Sequence, residues 1–478
     1  MWWIALKIAL VVPDCGLRLN DACPPLNLGY LASYLRKYSK IPVIVRIIDG
    51  VAKQHVQDSL LSFDPDIVGI TATTPQAPSA YRLADWFKTL WPKKLVVMGG
   101  VHASALPEEA LEHVDCVVIG EGEKALVEIV EKKSEGKAVP RIVHGEFVKD
   151  LDEIPSPAYD LIDVETYLTH GPPFPFGLKN PKTVSLVTSR GCPFRCPFCW
   201  NSFRSAPVRY FSARRVVDEI EYFITKHYVN SVFFNDDEFL INKARLLEMK
   251  RLLQERGILD RFVWGCQARV KTLDVSTLKL AKSMGCVVVS PGFESASPRL
   301  LKYLKNNTTT VADNARALAN ARQVGMTIGG SFIFGTPTET LAEMQETWRW
   351  FEEHNDLAFI GINTIIPYPK TKIWELCRHK GLIPERLDYQ RLVPTSVPAE
   401  TYIVCNTMPH EVFNRFIVDI QRVAWILTQM RLIKRHSRRR FRDFLSMARF
   451  PTWWWALLFH PFKVLKAFRD NILTVKSA

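Results

Sequence analysis

The chain has 478 residues, enough for about two to four domains, and its 47% hydrophobic and 23% charged residues exclude a largely disordered or collagen-like protein. Ten cysteines are too few for a disulfide scaffold, but three of them crowd into eight positions, which in a reducing compartment indicates a metal or cluster site. No apolar stretch reaches the ~20 residues of a transmembrane helix, and the N-terminus is unlike a secretory signal, so we expect a cytoplasmic protein.

Residues 1–139 alternate between short runs rich in Val and Ile and amphipathic helical stretches. Such runs are typical of buried parallel strands joined by helices. The pattern predicts an α/β domain of about five β-α units in a doubly wound, Rossmann-like sheet. The predicted strands are 7–12, 43–49, 67–70, 94–98 and 116–119, and helices between them include 28–38, 77–90 and 123–132.

Residues 140–182 are rich in proline, which breaks helices, and we expect an extended linker there. A second alternating series over residues 183–385 predicts a partial (β/α)6 TIM-type barrel, a fold that keeps its chemistry at the carboxyl ends of the strands. Its predicted strands are 183–188, 231–235, 262–267, 286–291, 327–334 and 358–366, and its predicted helices are 213–226, 243–256, 275–284, 311–324 and 340–353.

Residues 386–478 are predicted to form a helical C-terminal domain that is basic and aromatic. The net charge of +13 is concentrated there, because residues 421–478 hold 13 Lys and Arg against two acids. Basic and apolar residues alternate in 438–445 and 465–469, and such helices can lie on an anionic membrane. The aromatics could instead pack on the body as a helical cap. Nucleic acid binding is a third interpretation and the least favoured of the three.

Cys192, Cys196 and Cys199 follow the first predicted strand of the barrel. Thiolates at i, i+4 and i+7 in a loop can wrap three corners of one cubane cluster, and the absent fourth protein ligand leaves a coordination position for something that reacts. Zinc is the alternative, but it would need a fourth Cys or His nearby, and the next cysteine, Cys266, lies in a later predicted strand.

This motif resembles the hallmark of the radical S-adenosylmethionine (SAM) superfamily, C-x3-C-x2-C with an aromatic residue, here Phe198, before the last cysteine. The resemblance implies a [4Fe-4S] cluster on the three cysteines, with SAM on the open iron. Cleavage of SAM would then give a 5′-deoxyadenosyl radical that takes hydrogen from an unactivated carbon. It also implies that Arg269 and Glu294 bind the methionyl and ribose end of SAM and that residues 331–335 approach the adenine. The full set expected to bind SAM is Phe198, Asn235, Asp236, Gln267, Arg269, Glu294, Ser331, Ile333 and Gly335.

The first domain carries hydroxyl residues and glycines after its strands, notably in 71–76 and 99–103. Placed before a radical SAM barrel, it resembles the cobalamin-binding class of that superfamily; an ordinary α/β domain with glycine turns is the alternative. The Asp-x-His-x-x-Gly motif that supplies a histidine to cobalt in other cobalamin proteins is absent, so His102 is expected near the corrin or its tail rather than on cobalt. The residues expected to bind cobalamin are Leu26, Asn27, Thr71, Thr73, Thr74, Gln76, Gly99, Gly100, Val101, His102, Glu121 and Gly122.

The resemblance implies an enzyme in which one SAM supplies the radical and another methylates cobalamin, from which the methyl group passes to the substrate. Radical cyclisation or rearrangement without methyl transfer is the neighbouring hypothesis. The tail favours a lipid or isoprenoid substrate, as in hopanoid methylases or archaeal tetraether ring synthases, with tetrapyrroles and peptide precursors left open. Expected partners are an electron donor such as flavodoxin or ferredoxin and, through the tail, a membrane surface. A tRNA-modifying enzyme and a non-enzymatic cobalamin sensor are the other classes considered.

Overall fold

The structure is a computed structural model that describes residues 5–16, 19, 22–171, 180–203, 207–393, 401–436, 444–445 and 447–469. Within these residues the chain folds into a Rossmann-like α/β domain, a partial barrel of parallel strands and a helical C-terminal region. The predicted fold class is therefore confirmed.

The first domain is built on a sheet of six parallel strands: β1 (Leu6–Val12), β2 (Val43–Asp49), β3 (Ile67–Thr71), β4 (Leu95–Gly99), β5 (Cys116–Gly120) and β6 (Ile142–Gly145). Their order is β2-β1-β3-β4-β5-β6, which reverses between β1 and β3. Sheets of this kind bind ligands beyond the carboxyl ends of their strands at that reversal. The helices that flank the sheet are Leu26–Tyr38, Val56–Phe63, Ala77–Leu90, Val101–Ala105, Pro107–Ala110 and Glu123–Ser134.

The predicted linker, residues 140–182, contains more structure than its prolines indicate. Strand β6 pairs in parallel with β5, so the first sheet extends past residue 139. A helix, Val164–His170, begins where the Asp163 carboxylate accepts a hydrogen bond from the Thr166 N–H. Pro155 and Pro157 lie between these elements and therefore do not interrupt them. Residues 172–179, with three further prolines, lie outside the described residues.

The second domain contains β7 (Thr183–Leu186), an antiparallel pair β8 (Ser189–Arg190) and β9 (Arg209–Tyr210), then β10 (Ser231–Phe234), β11 (Val263–Ala268), β12 (Cys286–Glu294), β13 (Thr327–Ile328), β14 (Ser331–Phe334) and β15 (Gly361–Thr364). The parallel strands β7, β10, β11, β12, β14 and β15 follow one another in chain order, as in a partial barrel. The predicted strand 327–334 is divided at Gly329 and Gly330, because the chain there passes close to the ring of Phe293: a Cβ on Gly330 would lie 2.4 Å from it.

The barrel helices begin at polar residues that satisfy the free N–H groups of the first turn. In several of them the N-cap side chain accepts a hydrogen bond from the N–H three residues on; these caps are Ser212, Asn242, Asp274, Thr310, Thr340 and Thr371. The helices are Trp200–Phe203, Ala213–His227, Lys243–Glu255, Val275–Ser283, Pro298–Leu304, Val311–Val324, Leu341–Glu353 and Lys372–His379.

The C-terminal region packs on the barrel through a long helix, His410–His436. The buried Arg431 anchors this helix, because its guanidinium donates to the carbonyl oxygens of Leu357 at 3.0 Å and Phe351 at 3.3 Å. Two short helices, Pro451–Phe459 and Pro461–Phe468, follow and pack on the long one. None of the described helices combines the length and hydropathy needed to span a membrane. The arginine-rich residues 438–440, on which part of the membrane expectation depends, lie outside the described residues.

Candidate active site

The carboxyl ends of both sheets border three neighbouring cavities. The first-domain cavity, of 430 Å³, lies beyond β3, β4 and β5, and the barrel cavity, of 460 Å³, surrounds the three clustered cysteines. The central cavity, of 670 Å³, shares Val101 and Trp200 with the first-domain cavity and Tyr368 with the barrel cavity. The shared lining residues therefore place the three cavities next to one another across the two domains.

The barrel cavity places Cys192, Cys196 and Cys199 beside an arginine. Cys196 is buried, and its Sγ lies 3.6 Å from Nη1 of Arg269, whose guanidinium stacks 3.7 Å over the ring of Phe194. Burial raises the pKa of the Cys199 thiol to about 11 and raises that of Cys192 as well. Thiolates at these positions thus require a cation to compensate them, and iron supplies one.

A buried ion pair also lines the barrel cavity. Lys305 Nζ lies 2.6 Å from Oε1 of Glu294, and both side chains are buried. Glu294 ends β12 with a φ of +61°, a left-handed conformation that is costly for a residue other than glycine. A Cβ on Gly292 would lie 2.1 Å from that carboxylate, so a larger residue there would displace the Glu294 side chain. The fold therefore holds an acid and an amine in the cavity that contains the cysteines.

The first-domain cavity is a slot with an apolar floor and a polar rim. Leu10, Val97 and Val118 from the strands lie at its floor. At its rim the Asn27 amide donates to Thr71 Oγ1 at 3.0 Å. Gly100, with a φ of +93°, allows the chain to turn close to β3, because a Cβ there would lie 2.9 Å from Thr71 Oγ1. Such a slot can admit a long ligand beside the strands.

Two buried ion pairs join the domains at the edge of this cavity. Glu121 Oε1 lies 2.6 Å from Arg209 Nη2, and Glu123 Oε1 lies 2.6 Å from Arg190 Nη2. Burial by itself opposes ionisation of Glu121, but the Arg209 hydrogen bond and the nearby Arg190 charge outweigh it and lower the Glu121 pKa. The Glu121 carboxylate is therefore held ionised, and the two ion pairs fix the barrel against the first domain.

The central cavity has a different chemical character. None of the described residues that line it is charged. They are Cys15, Thr73, Thr74, Pro75, Gln76, Ser79, Val101, Trp200, Tyr368, Pro369, Gln390 and Val393. Since the lining is aromatic, aliphatic or neutral and polar, the cavity fits an uncharged group.

Comparison with known proteins identifies the family. A family model of the radical SAM superfamily matches residues 186–351, and a model of the B12 binding domain matches residues 16–130. An uncharacterised methyltransferase of Pyrococcus horikoshii is 32% identical over 400 residues, which cover 79% of this chain and 84% of the relative. The chain belongs to the cobalamin-binding radical SAM enzymes.

Other members of this family act on different molecules. The anaerobic magnesium-protoporphyrin IX monomethyl ester cyclase of Cereibacter sphaeroides is 30% identical over 424 residues, 82% of this chain and 67% of the cyclase. The hopanoid C-3 methylase of Methylococcus capsulatus is 27% identical over 370 residues, 73% of this chain and 68% of the methylase. Among solved structures, the cobalamin-dependent S-adenosylmethionine radical enzyme OxsB, with aqua-cobalamin and S-adenosylmethionine bound, shares the fold with a TM-score of 0.68 at 18% identity, over 93% of this chain and 70% of OxsB.

The cofactors of this radical SAM enzyme are a [4Fe-4S] cluster, SAM and cobalamin, as predicted. The cavities fit them: three cysteines share the barrel cavity, and the first-domain cavity is bordered by Gly100, where a side chain would meet Thr71. Within the described ranges no three His, Cys, Asp or Glu side chains converge to hold a single metal ion. A cubane does not need such convergence, since each cysteine binds a different iron.

Six of the residues expected to bind SAM line the barrel cavity: Phe198, Gln267, Arg269, Glu294, Ser331 and Ile333. The structure places the other three elsewhere. Asn235 lines the first-domain cavity, and its amide donates to the Cys23 sulfur at 3.4 Å. Asp236 is buried and accepts hydrogen bonds from Thr188 and Ser189, with its pKa raised to about 6 by burial. Gly335 faces the C-terminal helix, since a Cβ there would lie 2.8 Å from the Phe413 ring.

The residues expected to bind cobalamin divide between two cavities. The first-domain cavity is lined by Leu26, Asn27, Thr71, Gly99, Gly100, Val101, Glu121 and Gly122. Thr73, Thr74 and Gln76 line the central cavity instead. His102 lines none of the three, because its ring is buried and its Nε2 lies 2.7 Å from the Tyr81 hydroxyl. Burial lowers the His102 pKa to about 4, so this side chain is neutral where it packs in the core.

Sequence reasoning missed several residues that line the cavities. Trp200 directly follows Cys199, and Tyr368 follows the last barrel strand, so the rule that barrels act at strand ends could have found both. The sequence around Lys305 and around Arg209 gave no indication that these side chains line the cavities. Lys305 lies at the end of a helix and Arg209 in a two-residue strand, and each becomes significant only through a carboxylate distant in the chain.

Proposed function

We propose that this enzyme methylates an unactivated carbon of an apolar substrate held in the central cavity. The observation that carries the proposal is the position of that cavity, which shares Trp200 with the first-domain cavity and Tyr368 with the barrel cavity. A substrate there would border the site of hydrogen abstraction on one side and the methyl donor on the other. Because the substrate, SAM and cobalamin would be held in one region, the reaction would not depend on encounters between them in solution.

In this proposal Cys192, Cys196 and Cys199 ligate the cluster. Arg269 and the paired Glu294 and Lys305 bind the polar methionyl and ribose end of SAM, because they place fixed charges in the cavity that holds the cysteines. Ser331 and Ile333 border the adenine. The cobalamin tail enters the first-domain cavity between the residues that line its rim, with Asn27 and Thr71 as hydrogen-bonding groups.

Two SAM molecules and two electrons would be consumed for each methyl group transferred. One SAM accepts an electron and its bond from sulfur to the 5′ carbon breaks, giving methionine and a 5′-deoxyadenosyl radical. That radical takes a hydrogen atom from the substrate and becomes 5′-deoxyadenosine. The second SAM would give its methyl group, by way of cobalamin, to the substrate carbon radical and leave as S-adenosylhomocysteine, and the second electron would return cobalamin to the reduced state that accepts a methyl group from SAM. A flavodoxin or ferredoxin would supply the electrons.

We further propose that the substrate is a membrane lipid or isoprenoid. The described lining of the central cavity is uncharged, which suits an apolar substrate better than the phosphate chain of a tRNA. The hopanoid methylase relative acts on such a molecule by its name. The basic, aromatic C-terminal region offers a means of reaching a membrane surface where the substrate resides.

The test is an anaerobic assay of the reconstituted protein with cobalamin, SAM labelled in its methyl group, a reductant and a lipid extract. We expect 5′-deoxyadenosine and S-adenosylhomocysteine to form together and the label to appear on a carbon of one lipid. S-adenosylhomocysteine without label in any lipid would contradict the lipid substrate, and absence of both nucleoside products would contradict the enzyme activity itself.

A second candidate is radical cyclisation or rearrangement without methyl transfer, which the similarity to the magnesium-protoporphyrin cyclase supports. It predicts 5′-deoxyadenosine without a matching amount of S-adenosylhomocysteine. A tetrapyrrole ester added to the same assay would distinguish the two candidates, because only the cyclase hypothesis predicts its turnover without incorporation of the label.

A further inference from the structure

The C-terminal helices carry an unusual concentration of exposed apolar side chains. Among the described residues, seven of the sixteen large apolar side chains that are exposed fall between residues 445 and 465. The most exposed are Phe462 at 85%, Leu458 at 74%, Phe459 at 61%, Trp454 at 60% and Leu465 at 59%. Exposed apolar clusters of this kind mark interaction sites on folded proteins.

These side chains form one surface because of how the two helices pack. Trp453, Ala456, Val464 and Ala467 are buried, and both helices contact the long helix His410–His436. Residues one helical turn apart from one another, such as Trp454 with Leu458 and Phe462 with Leu465, therefore share the outer side. His460 joins the helices directly, as the C-cap of one and the N-cap of the next. We call the five exposed residues Trp454, Leu458, Phe459, Phe462 and Leu465 the apolar surface.

The charged residues of the segment that carries the apolar surface are all of one sign. The 23 residues 447–469 contain Arg449, Lys463, Lys466 and Arg469 and no Asp or Glu. One cation, Lys463, pairs with Glu352 of the barrel at 2.6 Å. The indole N–H of Trp454 donates to the Ala448 carbonyl at 2.7 Å, so its ring can enter an apolar medium without leaving a donor unpaired.

We propose that the apolar surface docks on an anionic lipid bilayer, with its aromatic and aliphatic side chains among the acyl chains and its cations among the headgroups. A second copy of this chain is a poorer occupant, because a two-fold interface would bring the same cations against one another. Anionic headgroups complement both features at once. The proposal does not depend on which substrate the enzyme methylates.

The experiment is cosedimentation of the full-length protein with vesicles of pure phosphatidylglycerol or pure phosphatidylcholine. We expect binding to phosphatidylglycerol that weakens with salt. The triple substitution Leu458→Ser, Phe462→Ser and Leu465→Ser should weaken it by about tenfold or more. The matched control is Leu61→Ser, Tyr228→Ser and Leu247→Ser, which removes similarly exposed apolar side chains elsewhere and should leave binding unchanged.

Three outcomes would overturn the proposal. The first is equal vesicle binding by the triple variant and wild type, and the second is equal binding to both lipids. The third is that wild type does not bind vesicles but self-associates, and that the triple variant loses this self-association. The last would assign the surface to a second copy of the chain. Formation of 5′-deoxyadenosine without vesicles separates this result from the proposed function, because the apolar surface lies outside all three cavities.

Discussion

Replacement of Gly100 by alanine tests whether the turn after β4 forms the wall of the first-domain cavity. Gly100 has a φ of +93° and a ψ of −173°, a region almost closed to other residues, which costs roughly 1–3 kcal/mol. The new Cβ would also lie 2.9 Å from Thr71 Oγ1 and 3.1 Å from the Ala72 carbonyl oxygen. Relieving such overlap costs roughly 1–3 kcal/mol more. The turn after β4 must therefore move to accommodate the alanine, and this movement alters the rim of the first-domain cavity.

The control is Gly136→Ala. Gly136 also has a positive φ, +68°, but an added Cβ would meet no atom within 4 Å. We therefore expect Gly136→Ala to lower the free energy of unfolding by roughly 1–2 kcal/mol from backbone strain alone. It should leave cobalamin affinity unchanged. Gly100→Ala should cost at least about 1 kcal/mol more than the control, because packing strain adds to backbone strain.

Denaturant unfolding gives the stability difference, and titration with hydroxocobalamin followed by absorbance gives the affinity. We expect Gly100→Ala to weaken cobalamin binding by about tenfold, since 1.4 kcal/mol of rim distortion corresponds to that factor. Equal stability of the two variants together with cobalamin affinity equal to that of wild type would refute the reasoning, because it would mean that the turn relaxes without touching the cavity.

Three further substitutions probe the other parts of the site. Lys305→Met leaves Glu294 buried without its partner, which should destabilise the fold by about 3–5 kcal/mol and weaken SAM binding measured by equilibrium dialysis. Glu121→Gln should lower stability at neutral pH. Folding lowers the Glu121 pKa, so the carboxylate stabilises the fold above the ordinary pKa of a glutamate, and this stabilisation is lost as the pH falls through the lowered value. The stability deficit of the variant should therefore shrink in acid. Cys196→Ala should abolish the visible absorbance of the cluster and 5′-deoxyadenosine formation, whereas Cys266→Ala, in β11, should retain both.

Each of these has an outcome that contradicts it. Wild-type SAM affinity in Lys305→Met would place SAM elsewhere, and a pH-independent deficit in Glu121→Gln would mean that the carboxylate does not titrate with unfolding. Retention of the cluster by Cys196→Ala would require a ligand outside the three-cysteine motif.

Local patterns in the sequence predicted most of the elements. The helix Ala77–Leu90 and the strand Val43–Asp49 have the predicted bounds, because the periodicity of apolar residues and the runs of Val and Ile are local properties. Strand β12 extends to Glu294, three residues past its predicted end. β12 extends this far because Gly292 and Glu294 pair with β14, with a shift of register between the two residues. That pairing could not be read from the segment itself.

The side on which a polar residue lies was harder to predict. Asn235 and Asp236 are adjacent just past the end of β10, yet only Asn235 lines one of the three cavities. Asp236 turned inwards to Thr188 and Ser189, residues of the preceding strand region. His102 is buried partly by Tyr389, whose ring lies 4.9 Å away and comes from beyond the barrel. Contacts between segments so far apart in the chain cannot be predicted from the sequence pattern of either segment.

The position of Trp200 has a consequence for how such an enzyme can change its substrate. Trp200 borders both the central and first-domain cavities and is covalently next to Cys199, so any change that enlarges the pocket at this point also disturbs the iron-binding loop. Gln390 and Val393 border only the central cavity and belong to a segment that follows the barrel. With the substrate in the central cavity, as proposed above, new substrate preferences can therefore arise by variation in that segment while the radical-generating core is retained, and redesign for bulkier molecules should begin there.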